Sequence, residues 1–206
     1  MGIELRLEEE KDHRIVEELT RETFWNVYKP GCDEHFVLHH LRNSPSFIPE
    51  LDFVAELDGN VVGNIVYSKC KVVSESGKEQ EVLTFGPVGV LPAYQGQGIG
   101  SLLIRHTLEL AKKMGYKAVI IFGDPAYYRR FGFEAAQKFA ISTTEGENFD
   151  AFMAKELTEG SLQGISGRVH LDVVFFNIDQ EQLEQYDSTF PPQEKKVTDT
   201  QLKGES

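Results

Sequence analysis

The sequence predicts an α/β fold: one mixed, mostly antiparallel sheet with helices on its faces. Three observations point there. Phe53-Val54-Ala55-Glu56-Leu57 and the apolar run Val61 to Val73 flank Asp58-Gly59-Asn60, and Asp-Gly between two apolar runs is a strong antiparallel hairpin signal. Val82 to Val90 reads as a central strand that runs through Leu91-Pro92 into a glycine-rich stretch, which opens a long amphipathic helix. Ala118-Val119-Ile120-Ile121-Phe122 is nearly all apolar, as expected of a strand covered on both faces.

The remaining elements follow in order. Ile3-Glu4-Leu5-Arg6-Leu7 alternates as a strand does. Asp12 caps a helix expected to reach about Tyr28, with Ile15, Val16, Leu19, Phe24 and Val27 on its apolar stripe, and Pro30-Gly31 breaks it. Asp33 starts a second helix that sends Phe36, Val37 and Leu41 toward the core and ends near Ser44-Pro45. Residues Ser74 to Glu79 make a looser turn into the central strand. The helix from Gln97 to about Met114 buries Leu102, Leu103, Leu108, Leu110 and Ala111, with Gly115 as its C-terminal cap. Asp124 caps a short helix with Pro125 at its first position, and Gly132-Phe133 ends it. Further strands are expected around Lys138–Ser142, Phe149–Leu157 and Val169–Phe176. Asp187 to Ser206, rich in Pro, Gln, Lys, Glu and Thr, reads as a disordered tail.

Composition narrows the function classes. At 206 residues, 40% of them hydrophobic, the chain suits one domain over residues 1–180. Its apolar runs are too short to span a bilayer, and the charged start Met1-Gly2-Ile3-Glu4-Leu5-Arg6 has no signal-peptide core. Cys32 and Cys70 form no C-x-x-C and read as two free thiols, so a cytoplasmic protein without a metal site is expected. A net charge of −12 argues against nonspecific nucleic-acid or anionic-membrane binding. The stretch Gln95–Lys138 runs against that balance, with seven basic residues (Arg105, Lys112, Lys113, Lys117, Arg129, Arg130, Lys138) against three acids (Glu109, Asp124, Glu134).

The local charge surrounds a candidate anion site. The first N–H groups of a helix lack partners, the helix dipole favours negative charge there, and glycine lets a phosphate reach the backbone. Gln95-Gly96-Gln97-Gly98-Ile99-Gly100-Ser101 fits neither dinucleotide nor Walker spacing, since Ser101 stands where the third dinucleotide glycine belongs and no Lys-Ser or Lys-Thr follows. The spacing that fits is Gln-x-x-Gly-x-Gly at Gln95, Gly98 and Gly100, after a strand ending Val-Leu-Pro. Downstream, Tyr127-Tyr128-Arg129-Arg130-Phe131-Gly132-Phe133 supplies Tyr-x-x-x-Gly-Phe one helix and one strand later. Together the two motifs resemble the GCN5-related N-acetyltransferase (GNAT) family. Gly123-Asp124-Pro125-Ala126-Tyr127-Tyr128 is most similar to its YhbS-like bacterial subgroup. The resemblance covers about residues 3–157, with a C-terminal strand extension to about 176.

The resemblance implies a GNAT-type sheet and a function: transfer of an acetyl group from acetyl-CoA, as cosubstrate, to a primary amine of a small molecule or protein. The backbone N–H groups of Gln95, Gly96, Gln97, Gly98, Ile99, Gly100 and Ser101 would hold the pyrophosphate, and the strand edge Val88-Gly89-Val90 would pair with the pantetheine arm. An N–H near Val88 or Gly89 would polarise the acetyl carbonyl. The amine would attack the thioester directly in a ternary complex, with Tyr128 as the acid that protonates the leaving thiolate. Many family members carry Asn and Ala seven and four residues before the tyrosine; here Ile121 and Asp124 stand there, and Tyr127 competes with Tyr128 for the role. The base stays open among Glu34, His35, Glu81 and Asp124, and Trp25, Tyr28, His35 and Phe36 are the candidate acceptor wall. His39-His40 lacks metal spacing and reads as surface. Two alternatives remain: a noncatalytic acyl-CoA-binding module on the same fold, and a nucleotide-binding domain. Monomer and homodimer are both compatible with the sequence.

Overall fold

Among the described residues nine strands form one sheet: β1 (Glu4–Leu7), β2 (Phe53–Leu57), β3 (Asn60–Val73), β4 (Glu79–Val90), β5 (Ala118–Phe122), β6 (Glu134–Ala135), β7 (Ile141–Ser142), β8 (Phe152–Glu156) and β9 (Gly167–His170). The computed structural model describes residues 2–199 and residue 201. The spatial order is β1-β2-β3-β4-β5-β8-β6, with β9 on the far half of β3 and β7 on β9. Neighbours run antiparallel except β4 with β5 and β7 with β9. This is the mixed, mostly antiparallel α/β sheet read from the sequence.

Helices cover both faces. On one face lie α1 (His13–Phe24) and α2 (Glu34–Leu41), whose Val16, Leu19, Leu38 and Leu41 pack on Val54, Val61 and Val66. On the other lies α3 (Ile99–Lys113), which buries Ile99, Leu103, Ile104, Leu108 and Ala111 against Val62, Ile65, Leu83 and Val119. A glycine pair sets the depth of both contacts. A Cβ on Gly89 would stand 3.1 Å from Leu19 of α1, and one on Gly63 would stand 3.1 Å from Ile99 and 3.3 Å from Leu103 of α3. The short α4 (Pro125–Tyr128) starts where it was expected: Asp124 accepts the Ala126 N–H at 2.8 Å and Pro125 opens the helix.

Several expectations change. The first helix stops at Phe24, so Tyr28 lies in the α1–α2 loop, and Ile15 lies off the buried stripe of Val16, Leu19 and Thr20 and faces solvent. Asp12 makes no side-chain cap to α1; its carboxylate takes two bonds from Arg6, at 2.6 and 3.0 Å, and the Glu9 N–H at 2.9 Å. Leu102 is exposed, because the buried stripe of α3 runs through Ile99, Leu103, Ile104, Thr107, Leu108 and Ala111 and leaves that position outside it. The run near Lys138 is a 3-10 turn followed by the two-residue β7, and Val173–Phe175 is likewise a 3-10 turn.

The largest difference concerns the C-terminal segment, where composition indicated a disordered tail from Asp187. The structure forms α5 (Gln180–Asp187) and lays residues 188–199 along α1; Thr200 and residues 202–206 lie outside the described residues. The anchors are specific. Arg21 holds both Asp187 oxygens, at 2.7 and 3.2 Å, and donates to the Pro191 carbonyl. Phe190 is 5% exposed between the His35 ring, Tyr186 and the Arg14 guanidinium. Trp25 Nε1 and Asn26 Nδ2 both donate to the Glu194 carbonyl. Composition scores how much apolar area a segment brings, not whether a single phenyl ring meets a ready-made pocket.

Phe190→Ala should therefore lower the unfolding free energy by about 3 kcal/mol, as truncation of a buried phenylalanine does. Urea unfolding reads this directly. A loss below about 0.5 kcal/mol would mean that the segment contributes nothing to the fold.

Candidate functional site

The glycine loop is built for its backbone. Strand β4 ends at Val90, Pro92–Tyr94 make a 3-10 turn, and Gln95 Nε2 ties back to the Val90 carbonyl at 3.0 Å. Gly96 and Gly98 have φ of 75° and 84°, where a side chain is strained, and nothing stands within 4 Å of a Cβ at either. Their glycines thus serve conformation, not space. Gly98 is the N-cap of α3, and Leu102 N–H closes the first turn on its carbonyl at 2.9 Å. The N–H groups of Ile99, Gly100 and Ser101 are left as the unpaired donors of a helix start, with no acid in that turn. The wider basic surplus does not converge there. Lys112 and Lys113 sit at the opposite end of α3, about 20 Å away. Lys117 reaches Gln80 and Lys138 pairs with Glu134. Arg105 and Arg130 remain nearby, with Arg105 donating to the Arg130 carbonyl at 3.4 Å.

The strand feeding this loop has an open edge. Parallel β4 and β5 share one register pair, Leu83 with Val119. Beyond it β5 stays with β8, while β4 stays with β3. An extra β4 residue at Gly86-Pro87 shifts the register between Phe85 and Val88, so the strand bulges where the two diverge. Alternation then assigns the edge. Leu91 N–H bonds to the Val62 carbonyl, so Leu91 and Gly89 face β3, and Val88 and the Val90 N–H turn toward the gap, while the Val90 carbonyl on that edge is taken by side-chain donors. Of the two expected N–H donors, Val88 is the one that faces the gap. Thr23 of α1, which the sequence did not single out, donates to the Val90 carbonyl at 3.2 Å; a polar residue on a helix carries no mark of which strand it will meet.

The two tyrosines separate. Tyr127 lies over α3: its hydroxyl would be 3.1 Å from a Cβ on Gly100, and Arg130 stacks on its ring at 4.4 Å. Tyr128 lies over the gap, among Phe85 of β4, Phe131 and Phe133, and so close over Gly123 that a Cβ there would be 2.2 Å from its ring. Burial pushes the Tyr128 phenol well above its ordinary range, with Tyr127, Tyr28 and Asp124 acting the same way, so it holds its proton at neutral pH.

The acceptor-side candidates sort by burial. His35 is fully buried, with Cys32 Sγ 3.4 Å from its Nδ1 and Asp187 3.2 Å from its Nε2. This Cys–His–Asp row is no nucleophile. Burial pushes the Cys32 thiol up and lowers His35 to about 4, so both stay neutral and out of reach. Phe36 packs on His40 and Tyr186, and Trp25 holds the C-terminal segment. Glu81 pairs with Lys69 on the strand surface. Tyr28 and Glu34 remain at the α1–α2 connection: Tyr28 is 52% exposed, and burial raises Glu34 to about 7. Phe122 and Phe149, 47% and 46% exposed and 6.0 Å apart, add an aromatic surface at the end of β5 that no sequence motif marks.

This arrangement, a diverging strand pair with an open amide edge that leads into a glycine-capped helix, has relatives. The family model described as Acetyltransferase (GNAT) family matches residues 13–133, and the chain belongs to that family of acyltransferases. It is 33% identical over 134 residues to the uncharacterized N-acetyltransferase YhbS of Escherichia coli strain K12, covering 65% of this chain and 77% of that protein. The crystal structure of Escherichia coli YhbS in complex with CoA matches with a TM-score of 0.76 and 29% identity, over 86% of this chain and 93% of the other. A GNAT family acetyltransferase from Brucella melitensis in complex with acetyl-CoA matches with a TM-score of 0.68 and 30% identity, over 84% and 98%. Among the described residues no helix is long and apolar enough to cross a membrane, and no group of three or more His, Cys, Asp or Glu could hold a metal ion.

Two outcomes follow from this geometry. Gly123→Ala should cost about 1–3 kcal/mol by driving into the Tyr128 ring, and less in a Tyr128→Ala background, which a double-mutant cycle measures. Glu34 binds its proton more tightly folded than unfolded, so its contribution is present below the ordinary glutamate range and is lost as pH rises through about 7. Glu34→Gln should accordingly raise the melting temperature relative to wild type at about pH 8, with the difference vanishing near pH 5. Equal melting at both values would mean that the carboxyl is solvated.

Proposed function

We propose that this protein is an N-acetyltransferase that moves the acetyl group of acetyl-CoA to a primary amine of a small molecule or protein, with both substrates bound at once. The observation that carries the reading is the open β4 edge running straight into the α3 start. An extended chain of amides ending in a pyrophosphate needs strand-like partners followed by a cluster of free N–H donors, and that is the order here. Bound acetyl-CoA would supply an activated thioester.

Each residue then has a role. The N–H groups from Gln95 to Ser101, chiefly Ile99, Gly100 and Ser101, take the pyrophosphate. The Val90 N–H and the Val88 carbonyl pair with the pantetheine amides, and the Val88 N–H polarises the acetyl carbonyl as charge grows on its oxygen. Positioning of the two reactants supplies most of the rate. Tyr128, protonated and facing the gap, donates its proton to the departing sulfur. Tyr127, over the helix start, contacts the phosphate end instead. Residues 1–180 constitute the acetyltransferase domain, and the acidic net charge with two free thiols supports a cytoplasmic location.

The test combines calorimetry with turnover. Wild type should bind acetyl-CoA, and Gly98→Trp should lose that binding. Tyr128→Phe should bind nearly as wild type yet release thiol more slowly by about a hundredfold. Equal turnover in Tyr128→Phe would remove the tyrosine from the role. Binding without turnover on any amine would favour the noncatalytic acyl-CoA-binding module.

A further inference from the structure

Strand β5 carries an aromatic pair to the gap on the face away from Tyr128. Val119 is level with Leu83 of parallel β4, so Phe122, three residues on, stands level with the Gly86-Pro87 bulge that precedes Val88. Alternation divides β5 between the two faces of the sheet. Val119 and Ile121 pack under α3 with Phe131 and Phe133, the cluster on which Tyr128 rests. Ala118 and Ile120 pack on the other side with Phe152 and Cys70, and Phe122 continues that side, in register with Phe152. Cys70 lies four residues along β3 from Val66, which packs beneath α1 and α2. Phe122 therefore stands on the α1–α2 face of the sheet.

The pair is both exposed and held. Phe122 and Phe149 each show nearly half of their surface. Gly123 N–H donates to the Ala151 carbonyl at 2.8 Å, and Phe152 N–H to the Phe149 carbonyl at 2.9 Å, which ties the loop before β8 to the end of β5. The Phe122 ring centre lies 5.0 Å from Phe152 and 6.0 Å from Phe149, tilted in both cases. Rings at such spacings favour a further ring on their open side. The charge beside them is acidic. Residues 118–128 contain Asp124, and residues 144–152 contain Glu145, Glu147 and Asp150; all four are exposed, and neither stretch has a Lys or Arg. Arg168 reaches the loop at the Thr144 carbonyl, at 3.3 Å. An apolar body with a cationic head matches both features.

We propose that Phe122 and Phe149 form the specificity wall for the acceptor, and that the acceptor is a primary amine on a short arm from an aromatic ring. The proposal rests on the acetyltransferase reading above. It follows from the two faces of the gap. Cofactor held at the start of α3 occupies the face of Tyr128, so the acceptor reaches the thioester from the other face. There α1 closes one side, with Thr23 on the Val90 carbonyl, and the two phenylalanines border the other. A ring laid on the pair removes apolar surface of both partners from water, while the acids draw in the ammonium. The ammonium gives one proton to solvent, and the neutral nitrogen forms the C–N bond as the C–S bond breaks. Its second proton replaces the one that Tyr128 gives to sulfur.

The test follows thiol release from acetyl-CoA with 2-phenylethylamine and with ethanolamine, primary amines on the same two-carbon arm, one with a ring and one without. Wild-type kcat/KM should be at least about tenfold higher for 2-phenylethylamine. Phe149→Ala should raise KM for 2-phenylethylamine by about tenfold at nearly constant kcat, because the wall binds ground state and transition state alike. Turnover of ethanolamine and affinity for acetyl-CoA should stay within about threefold. Phe122→Leu, which keeps an apolar contact to Phe152, should act in the same direction, and Phe149→Tyr should restore most of the preference. Equal kcat/KM for the two amines in wild type, or an unchanged KM in both variants, would overturn the proposal and leave the acetyltransferase reading standing. A loss of acetyl-CoA affinity in Phe149→Ala would also overturn it, by giving the rings to the cofactor. So would a dimer in sedimentation that Phe149→Ala dissolves, which would give them to a second copy. No enzymatic thiol release from wild type with either amine would overturn both readings.

Discussion

The site depends on one constraint: β4 and β5 run parallel but meet at a single register pair, Leu83 with Val119. Buried or half-buried backbone amides require partners, so strands that part company leave a demand that something extended must meet. Past Leu83 that demand falls on Val88 and Val90. The strand is nevertheless held firmly. Gly89 brings α1 close on one face, Gly63 brings α3 close on the other, and Thr23 and Gln95 fasten the Val90 carbonyl. A rigid open edge can recognise an amide chain; a loose one would close on itself or fray.

Electrostatics at the gap follow from burial more than from net charge. The chain carries −12 overall, yet the start of α3 presents unpaired N–H groups and no acid in its first turn. Desolvation keeps the Tyr128 phenol protonated and raises the Glu34 carboxyl toward neutrality. Both groups lie close enough to Tyr28 for charge on one side to be felt there, and no group of three or more His, Cys, Asp or Glu that could hold a metal ion occurs among the described residues.

The C-terminal segment supports this arrangement from behind. Asp187 and Phe190 lock onto Arg21, His35 and Arg14, and Glu194 receives bonds from Trp25 and Asn26. Those contacts fix the loop that carries Tyr28 and leads into Glu34. The Cys32–His35–Asp187 row, which resembles a nucleophilic triad in residue type, works as a buried clasp because desolvation keeps the thiol and the imidazole neutral.

Local chemistry was legible in the sequence alone. The Asp58-Gly59 hairpin, the glycine-capped start of α3, the Asp124-Pro125 cap and the all-apolar β5 depend on neighbours in the chain, and each formed as read, to within a few residues. The paired motifs at Gln95–Gly100 and Tyr127–Phe133 sufficed to indicate the family, because glycine and tyrosine spacing survives as text. What only the tertiary structure decided was nonlocal. Strand alternation turned Val88 rather than Gly89 toward the open edge, packing on Gly123 and Gly100 separated Tyr128 from Tyr127, and burial raised the Glu34 carboxyl. It also gave Asp187 to Asp199 a place, since a segment poor in apolar residues adheres when a few of them meet partners already assembled. Spacing encodes what a residue can do within a turn or two. Burial and partners, which fix protonation and direction, arise only when distant segments meet.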